Sequence, residues 1–201
     1  MKILFLPSHM STGGMPQFLN KRIKSLQRFA DVEIYVVEYQ CYSIDFVVQR
    51  NQIKNMLGDK FFTLYENKME LKDIVERIQP DIIHIDEMSE RLDREMVSWM
   101  YNNDRRYRII ETCHDVSFNP ADKIFQPDMF LFCTPYHVDT FNPKEYAVIE
   151  YPIDDNSQHS WANNSYRKAT DFRKKAVLNV GLWTPGKNQA EGIEIAKNTL
   201  T

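Results

Sequence analysis

Short apolar runs alternate along this chain with stretches whose apolar residues recur at helical spacing. Residues 3–6 form an apolar run suited to a strand buried on both faces. Met15, Leu19, Ile23, Leu26 and Phe29 follow at helical spacing. Residues 32–37 are rich in β-branched and aromatic side chains and predict a second strand. A helix is expected over 43–57, with Phe46, Ile53 and Leu57 on one side and Gly58 as its C-cap. A third strand is expected over 60–65. Leu71, Ile74, Val75 and Ile78 sit at i, i+3, i+4 and i+7, which predicts an amphipathic helix that Pro80 stops. Residues 81–86 give a fourth strand, and Leu92, Met96, Trp99 and Met100 mark the next helix. Strands are expected over 107–112 and 129–133. Thr134 and Pro135 read as cap and first residue of a short helix, and a seventh strand is expected over 146–150.

The texture then changes. Residues 152–173 are polar and aperiodic, as in a linker. Residues 176–180 read as a fresh strand, 181–187 as a turn, and Asn188 with Glu191 as cap and N3 partner of a last helix. Ala190, Ile193, Ala196 and Leu200 share one side of that helix.

Strands alternating with helices predict an α/β fold, a Rossmann-like doubly wound parallel sheet with helices on both faces. The expected organisation is a domain over 1–151, a linker over 152–173, and the truncated start of a second Rossmann-like domain over 174–201. Right-handed crossovers bring every strand's carboxyl end to one edge, where sites in such sheets lie. The loops beginning at Ser8, Asp86, Cys113 and Cys133 share that edge. The first loop carries Gly13-Gly14, and Pro16 suits a first helical position. A helix N-terminus placed there offers amides to an anion such as phosphate.

Composition narrows the class. Of 201 residues, 43% are hydrophobic and 26% charged, and the net charge is −3, which gives no bulk basicity for nucleic acid or an anionic membrane. No apolar run approaches the roughly 20 residues of a membrane span. Met1-Lys2 leads straight into a strand with no cleavage-site pattern. Cys41, Cys113 and Cys133 are widely spaced and read as reduced thiols of a cytoplasmic protein. The Gly-x-Gly-x-x-Gly fingerprint is missing, which argues against a dinucleotide oxidoreductase. No serine or cysteine triad, zinc site or nucleic-acid motif stands out.

Four features fall on the expected ligand edge: Gly13-Gly14, then Asp86-Glu87, then His114-Asp115, and finally 181–188 with Lys187 just before a helix. Around them stand Gly-Gly-Met-Pro-Gln-Phe-Leu after the first strand, Pro-Asp-Ile-Ile-His-Ile-Asp over 80–86, Glu-Thr-Cys-His-Asp over 111–115, and Val-Gly-Leu-Trp-Thr-Pro-Gly-Lys-Asn-Gln over 180–189. In that order the chain resembles a glycosyltransferase of the large retaining family four, which has the GT-B fold. The resemblance implies retaining transfer of a sugar from a nucleotide-sugar to a glycan or other hydroxyl acceptor, with the acceptor on the first domain. His114 and Lys187 would be catalytic, His114 touching the sugar and Lys187 holding the leaving diphosphate. Gly13, Gly14, Lys187 and Asn188 would bind the donor, and Asp86, Glu87 and Met15 the acceptor. No metal and no cofactor is implied. Leu182 departs from the pattern, standing where a basic residue is usual. The chain also carries only one strand-helix unit of the second domain, so residues 1–201 alone are expected not to turn over. The competing class is a non-catalytic Rossmann-like binding module for a sugar, nucleotide or protein. A nucleotide-sugar epimerase fits the His-Asp and Lys-Asn-Gln matches less well.

Plainer readings stand beside these. His114 could be a satisfied strand-end histidine, and His84 a core one. His9 could reach the edge. Lys187 could be an ordinary loop lysine, although a cation before a helix opposes the dipole. Arg105, Arg106, Arg108 and Lys60 read as a solvated face, and Trp99 and Trp183 as packing.

Overall fold

A computed structural model describes residues 1–11, 13–40, 47–64, 70–87, 89–115, 118–151 and 189–200. The chain divides into two compact units, Met1–Pro152 and Ile153–Thr201. The first unit holds strands β1 (Lys2–Pro7), β2 (Glu33–Glu38), β3 (Phe61–Thr63), β4 (Ile82–Asp86), β5 (Arg108–Cys113), β6 (Met129–Phe132) and β7 (Tyr146–Val148). Its helices are α1 (Gly14–Leu26), α2 (Val48–Leu57), α3 (Leu71–Ile78), α4 (Arg94–Met100) and α5 (Tyr136–Phe141). The described part of the second unit is one helix, α6 (Gln189–Leu200).

The seven strands form one sheet in the order β3-β2-β1-β4-β5-β6-β7, every pair parallel. This is the Rossmann-like, doubly wound arrangement, and the order reverses between β1 and β4. Alternation along the strands builds two cores. Leu4, Leu6, Ile83, Ile85 and Ile109 face one way, against Leu71, Ile74 and Ile78 of α3 and Val97 and Met100 of α4. Ile3, Phe5, Ile34 and Val36 face the other, against Leu19 and Ile23 of α1 and Ile53 and Leu57 of α2. Because both faces are covered, the strands are near-continuous apolar runs, which is why they are visible in sequence.

Boundaries shift where tertiary context overrides local signals. α1 starts at Gly14, so Pro16 is its third residue; the first turn needs no N–H from it, and the proline is accommodated. Phe29 lies beyond the helix and is 57% exposed. α2 begins at Val48, and residues 41–46 fall outside the described set. Gly58 does cap it, at φ 58°, a conformation that favours glycine. β3 and β7 end earlier than expected, at Thr63 and Val148. α5 begins one residue late, with Pro135 as its cap residue, and the Tyr136 N–H donates to Thr134 Oγ1 at 3.3 Å. Arg105 is not part of a free solvated face: it pairs with Asp128 at 3.0 Å, while the far more exposed Arg108 reaches the same carboxylate at 3.4 Å. Trp99 packs against the α3/α4 core. The expected linker, the strand over 176–180, the turn over 181–187 and Asn188 lie outside the described residues. Among the described residues no helix is long and apolar enough to cross a membrane.

Leu4 is fully buried at the centre of the first core. Leu4→Ala should lower stability by about 2–5 kcal/mol, through lost burial and a residual cavity. Ile124→Ala, at a side chain 69% exposed, should change it by less than about 0.5 kcal/mol. Urea denaturation of both variants checks this; equal losses would contradict the core assignment.

Candidate functional site

The carboxyl edge of the sheet is shaped first by its loops. Arg50 of α2 forks onto Glu38 at the end of β2, with Nε to Oε2 at 2.7 Å and Nη2 to Oε1 at 2.6 Å. The same Oε1 accepts the Met10 N–H at 2.6 Å, which ties the loop after β1 to its neighbour. That loop then delivers Gly13 as the N-cap of α1, with no side chain to satisfy the first amides and no acidic residue in the first turn. A Cβ placed on Gly14 would meet no atom within 4 Å, so the helix start is open on that side. The Ser8 hydroxyl donates to Glu87, which follows β4 with φ at 142°, an unusual backbone for a residue with a side chain.

Beside the helix start lies a chain of polar groups on the α1 face of the sheet. Asp86, the last residue of β4, is fully buried. Its Oδ1 is flanked by two cations, Arg22 Nη1 of α1 at 3.7 Å and His114 Nε2 after β5 at 3.6 Å. Among the described residues neither Asp86 oxygen accepts a hydrogen bond. Arg22 also donates from Nη2 to His84 Nδ1 at 3.0 Å, and its guanidinium sits over the rings of Phe5 and Phe18 at 5.4 and 5.2 Å. His84 Nε2 lies 2.6 Å from Thr112 Oγ1.

The two histidines are set apart electrically. Burial, and then the charges of Arg22 and His114, hold His84 well below its ordinary pKa, so it stays neutral. One of its nitrogens accepts from Arg22 and the other donates to Thr112. Burial also pulls His114 down, but the Asp86 and Cys133 contacts outweigh it, and the imidazole is pushed up to about 9. Arg22 is lowered by burial, with Asp86 and then Cys133 opposing. His114 Nδ1 is 2.6 Å from the Tyr151 hydroxyl and 3.5 Å from Cys133 Sγ. Phe18 meets the His114 ring edge-on at 5.6 Å and the Tyr151 ring at 4.9 Å.

Gly13, Gly14, Glu87 and His114 thus stand at the carboxyl edge, as expected. Asp86 and Met15, expected to meet the acceptor, are 0% and 7% exposed, so neither offers a surface to one. Met15 points into the fold, as its helical spacing with Leu19 dictates. Lys187, Asn188, Leu182 and Trp183 lie outside the described residues. His84 is the core histidine that the plainer reading described, and His9 pairs with Ser11 at 2.7 Å. Cys113, on the other face, has its thiol pushed up to about 11 by burial and is inert. Sequence reasoning missed Arg22, Phe18 and Tyr151, and placed Cys133 at the edge without a role. Phe18 and Arg22 stand at i, i+4, so their meeting on one helix face had a signal. Tyr151 had none. Among the described residues no group of three or more His, Cys, Asp or Glu side chains is placed to hold a metal ion.

No protein-family profile and no curated protein sequence matches the chain. Among solved structures it is similar to the apo form of a lipopolysaccharide outer core galactosyltransferase, WaaB, at 13% identity and a TM-score of 0.51. The match covers 77% of this chain but only 46% of that one. At this identity the likeness shows a common fold, in agreement with a Rossmann-like domain of the GT-B kind.

His114 should therefore remain an imidazolium at pH 7.5. Its folded pKa, about 9, lies above its ordinary 6.5. The stability it contributes is then fully present below about 6.5 and is lost as pH rises through about 9. Histidine 1H–15N correlation spectra against pH read the midpoint directly. Asp86→Asn should bring that midpoint down by more than one pH unit; a wild-type midpoint at or below 6.5 would contradict the pairing.

Proposed function

We propose that the chain is the acceptor-side part of a retaining glycosyltransferase, moving a sugar from a nucleotide-sugar to a glycan or other hydroxyl acceptor. The observation that carries this reading is a juxtaposition. An open, uncapped helix start at Gly13-Gly14 and the Asp86–His114 pair stand together beside the β1/β4 reversal of the sheet. Open α/β sheets bind ligands at that crevice, and helix N-termini favour phosphate oxygens. The fold likeness to a galactosyltransferase supports the same class.

The chemistry follows from where charge develops. As the bond between sugar and phosphate breaks, negative charge grows on the leaving diphosphate. Fixed cations and helix amides aimed there stabilise the transition state more than the ground state. In this reading Gly13 and Gly14 bring amides to the donor, and the His114 imidazolium adds a positive charge fixed by Asp86. By the resemblance Lys187 and Asn188 would bind the diphosphate, and Glu87 remains an acceptor contact. Asp86 acts as the counter-ion of His114, and Met15 as packing. Neither metal nor cofactor enters. A second reading, a binding module without chemistry, draws on the burial of Asp86 and of His114 Nε2.

Full-length protein incubated with UDP- and GDP-sugars should transfer or slowly hydrolyse at least one donor, and product NMR should show a retained anomer. Residues 1–201 alone should show no turnover. Binding without turnover by the full-length protein would favour the module, and no binding of any donor would end both readings. Gly14→Ala should fold normally, because its Cβ meets no atom within 4 Å, yet weaken donor binding by about tenfold or more. Unchanged affinity would remove Gly14 from the site.

A further inference from the structure

The His114 ring has no nitrogen free for a ligand. Its Nε2 has essentially no exposed surface and faces Asp86. Its Nδ1 is occupied by the Tyr151 hydroxyl at 2.6 Å. The side chain as a whole is 13% exposed, whereas Tyr151 is 44% exposed. Of the two, Tyr151 is the more exposed residue.

Tyr151 is also held in place. Its ring lies 4.9 Å from that of Phe18 and 5.8 Å from that of His114. Two residues earlier, the Ile149 N–H donates to the Phe132 carbonyl at 2.8 Å, which fixes the approach to Tyr151 against β6. Phe18, which the Tyr151 ring meets, sits one helical turn along α1 from Gly14. Such support from packing and hydrogen bonds is what orients a contact group.

We propose that the Tyr151 hydroxyl, rather than the His114 ring, meets the ligand, donating a hydrogen bond to a diphosphate oxygen, with His114 and Asp86 positioned behind it. The inference rests on the nucleotide-sugar reading. The direction of the hydrogen bonds follows from charge. The imidazolium has a proton on each nitrogen, so Nδ1–H donates to the phenol oxygen, and the phenol O–H is left to donate elsewhere, to Cys133 or to a ligand in its place. A phenol polarised by a cation is a stronger donor, and its natural partner is an anionic oxygen. When His114 loses its proton, Nδ1 becomes an acceptor, the phenol turns its O–H inward, and the donor to the ligand is lost. The charged and titratable groups around this pair are Arg22 from α1, His84 and Asp86 from β4, Glu87 after it, and Cys133 after β6. Burial, followed by Cys133, Asp86 and Glu87, raises Tyr151 above its ordinary pKa, so the phenol keeps its proton.

The test uses full-length protein and calorimetric titration with uridine diphosphate, with uridine as the control lacking phosphate. Tyr151→Phe keeps the ring that packs on Phe18 and removes only the hydroxyl. It should weaken uridine diphosphate binding tenfold or more and leave uridine binding unchanged. Wild-type affinity should fall as pH rises through about 9, and Tyr151→Phe should show a much shallower fall. Asp86→Asn should move the wild-type fall to lower pH, which a merely structural role for Asp86 would not do. Equal or tighter uridine diphosphate binding by Tyr151→Phe would overturn the proposal alone, making the tyrosine a bystander or a lid. No uridine diphosphate binding by the wild type would overturn it together with the nucleotide-diphosphate reading.

Discussion

The carboxyl edge of this sheet depends on one buried charge. Asp86 ends β4 with no exposed surface, and nothing among the described residues donates a hydrogen bond to it. A lone carboxylate in that position would carry a desolvation cost of several kcal/mol. Arg22 and His114 offset that cost by approaching the same oxygen from two sides, at 3.7 and 3.6 Å. Each of the three then determines the others. Arg22 needs the carboxylate to offset its own burial, and His114 needs it to hold a proton above neutral pH. His84, one alternation earlier on the same strand, is kept neutral by burial and then by the same guanidinium. A single face of the sheet thus holds one neutral and one cationic imidazole a strand apart, by placement alone.

The sheet order makes that placement possible. Reversal between β1 and β4 opens a crevice at their carboxyl ends. α1 leaves from β1 and crosses over the face that carries His84, Asp86, Thr112 and His114. Its fifth residue, Phe18, packs against His114, and the next residue on that face, Arg22, reaches Asp86. The residues of α1 that meet the charged cluster therefore lie one and two turns from its open start, and the position of Gly13-Gly14 relative to the cluster is fixed by helix geometry.

What sequence could show divides along the same lines. The strands were legible because parallel strands covered on both faces are apolar throughout, and α3 because Leu71, Ile74, Val75 and Ile78 make one stripe. Gly58 was legible as a cap because the reason for it is local. His114 and Asp86 could be placed at the ligand edge, since strand ends in this fold share it. Their states could not be read. That Asp86 is buried against Arg22 rather than facing an acceptor involves a residue of α1, far away along the chain. Tyr151 follows a short edge strand with no motif to mark it, and its meeting with His114 is purely tertiary. The start of α1 was misplaced by two residues because proline at a first helical position is a statistical preference, while the turn at Gly13 sets where the helix begins.

A second buried charge cluster shows why the first, and not the second, is read as a site. β5 sends Glu111 to the opposite face from Thr112 and His114, where it is fully buried and pushed up to about 7 by burial. Lys123 meets it at 2.8 Å, and also donates to Ser89 at 2.9 Å and to Glu90; the Tyr101 hydroxyl donates to Glu111 as well. There the ammonium's three donors have three oxygen partners, and both carboxylate oxygens are engaged. Such a closed network ties the loops after β4 and β5 together and leaves nothing to offer a ligand. The Asp86 cluster is open by comparison. Its carboxylate holds cations without hydrogen bonds, and His114 links it to the hydroxyl of Tyr151, a residue that is 44% exposed. The same strand therefore supplies a lock on one face and a group able to act on the other. The difference lies in how completely the buried charges are satisfied, not in how many there are.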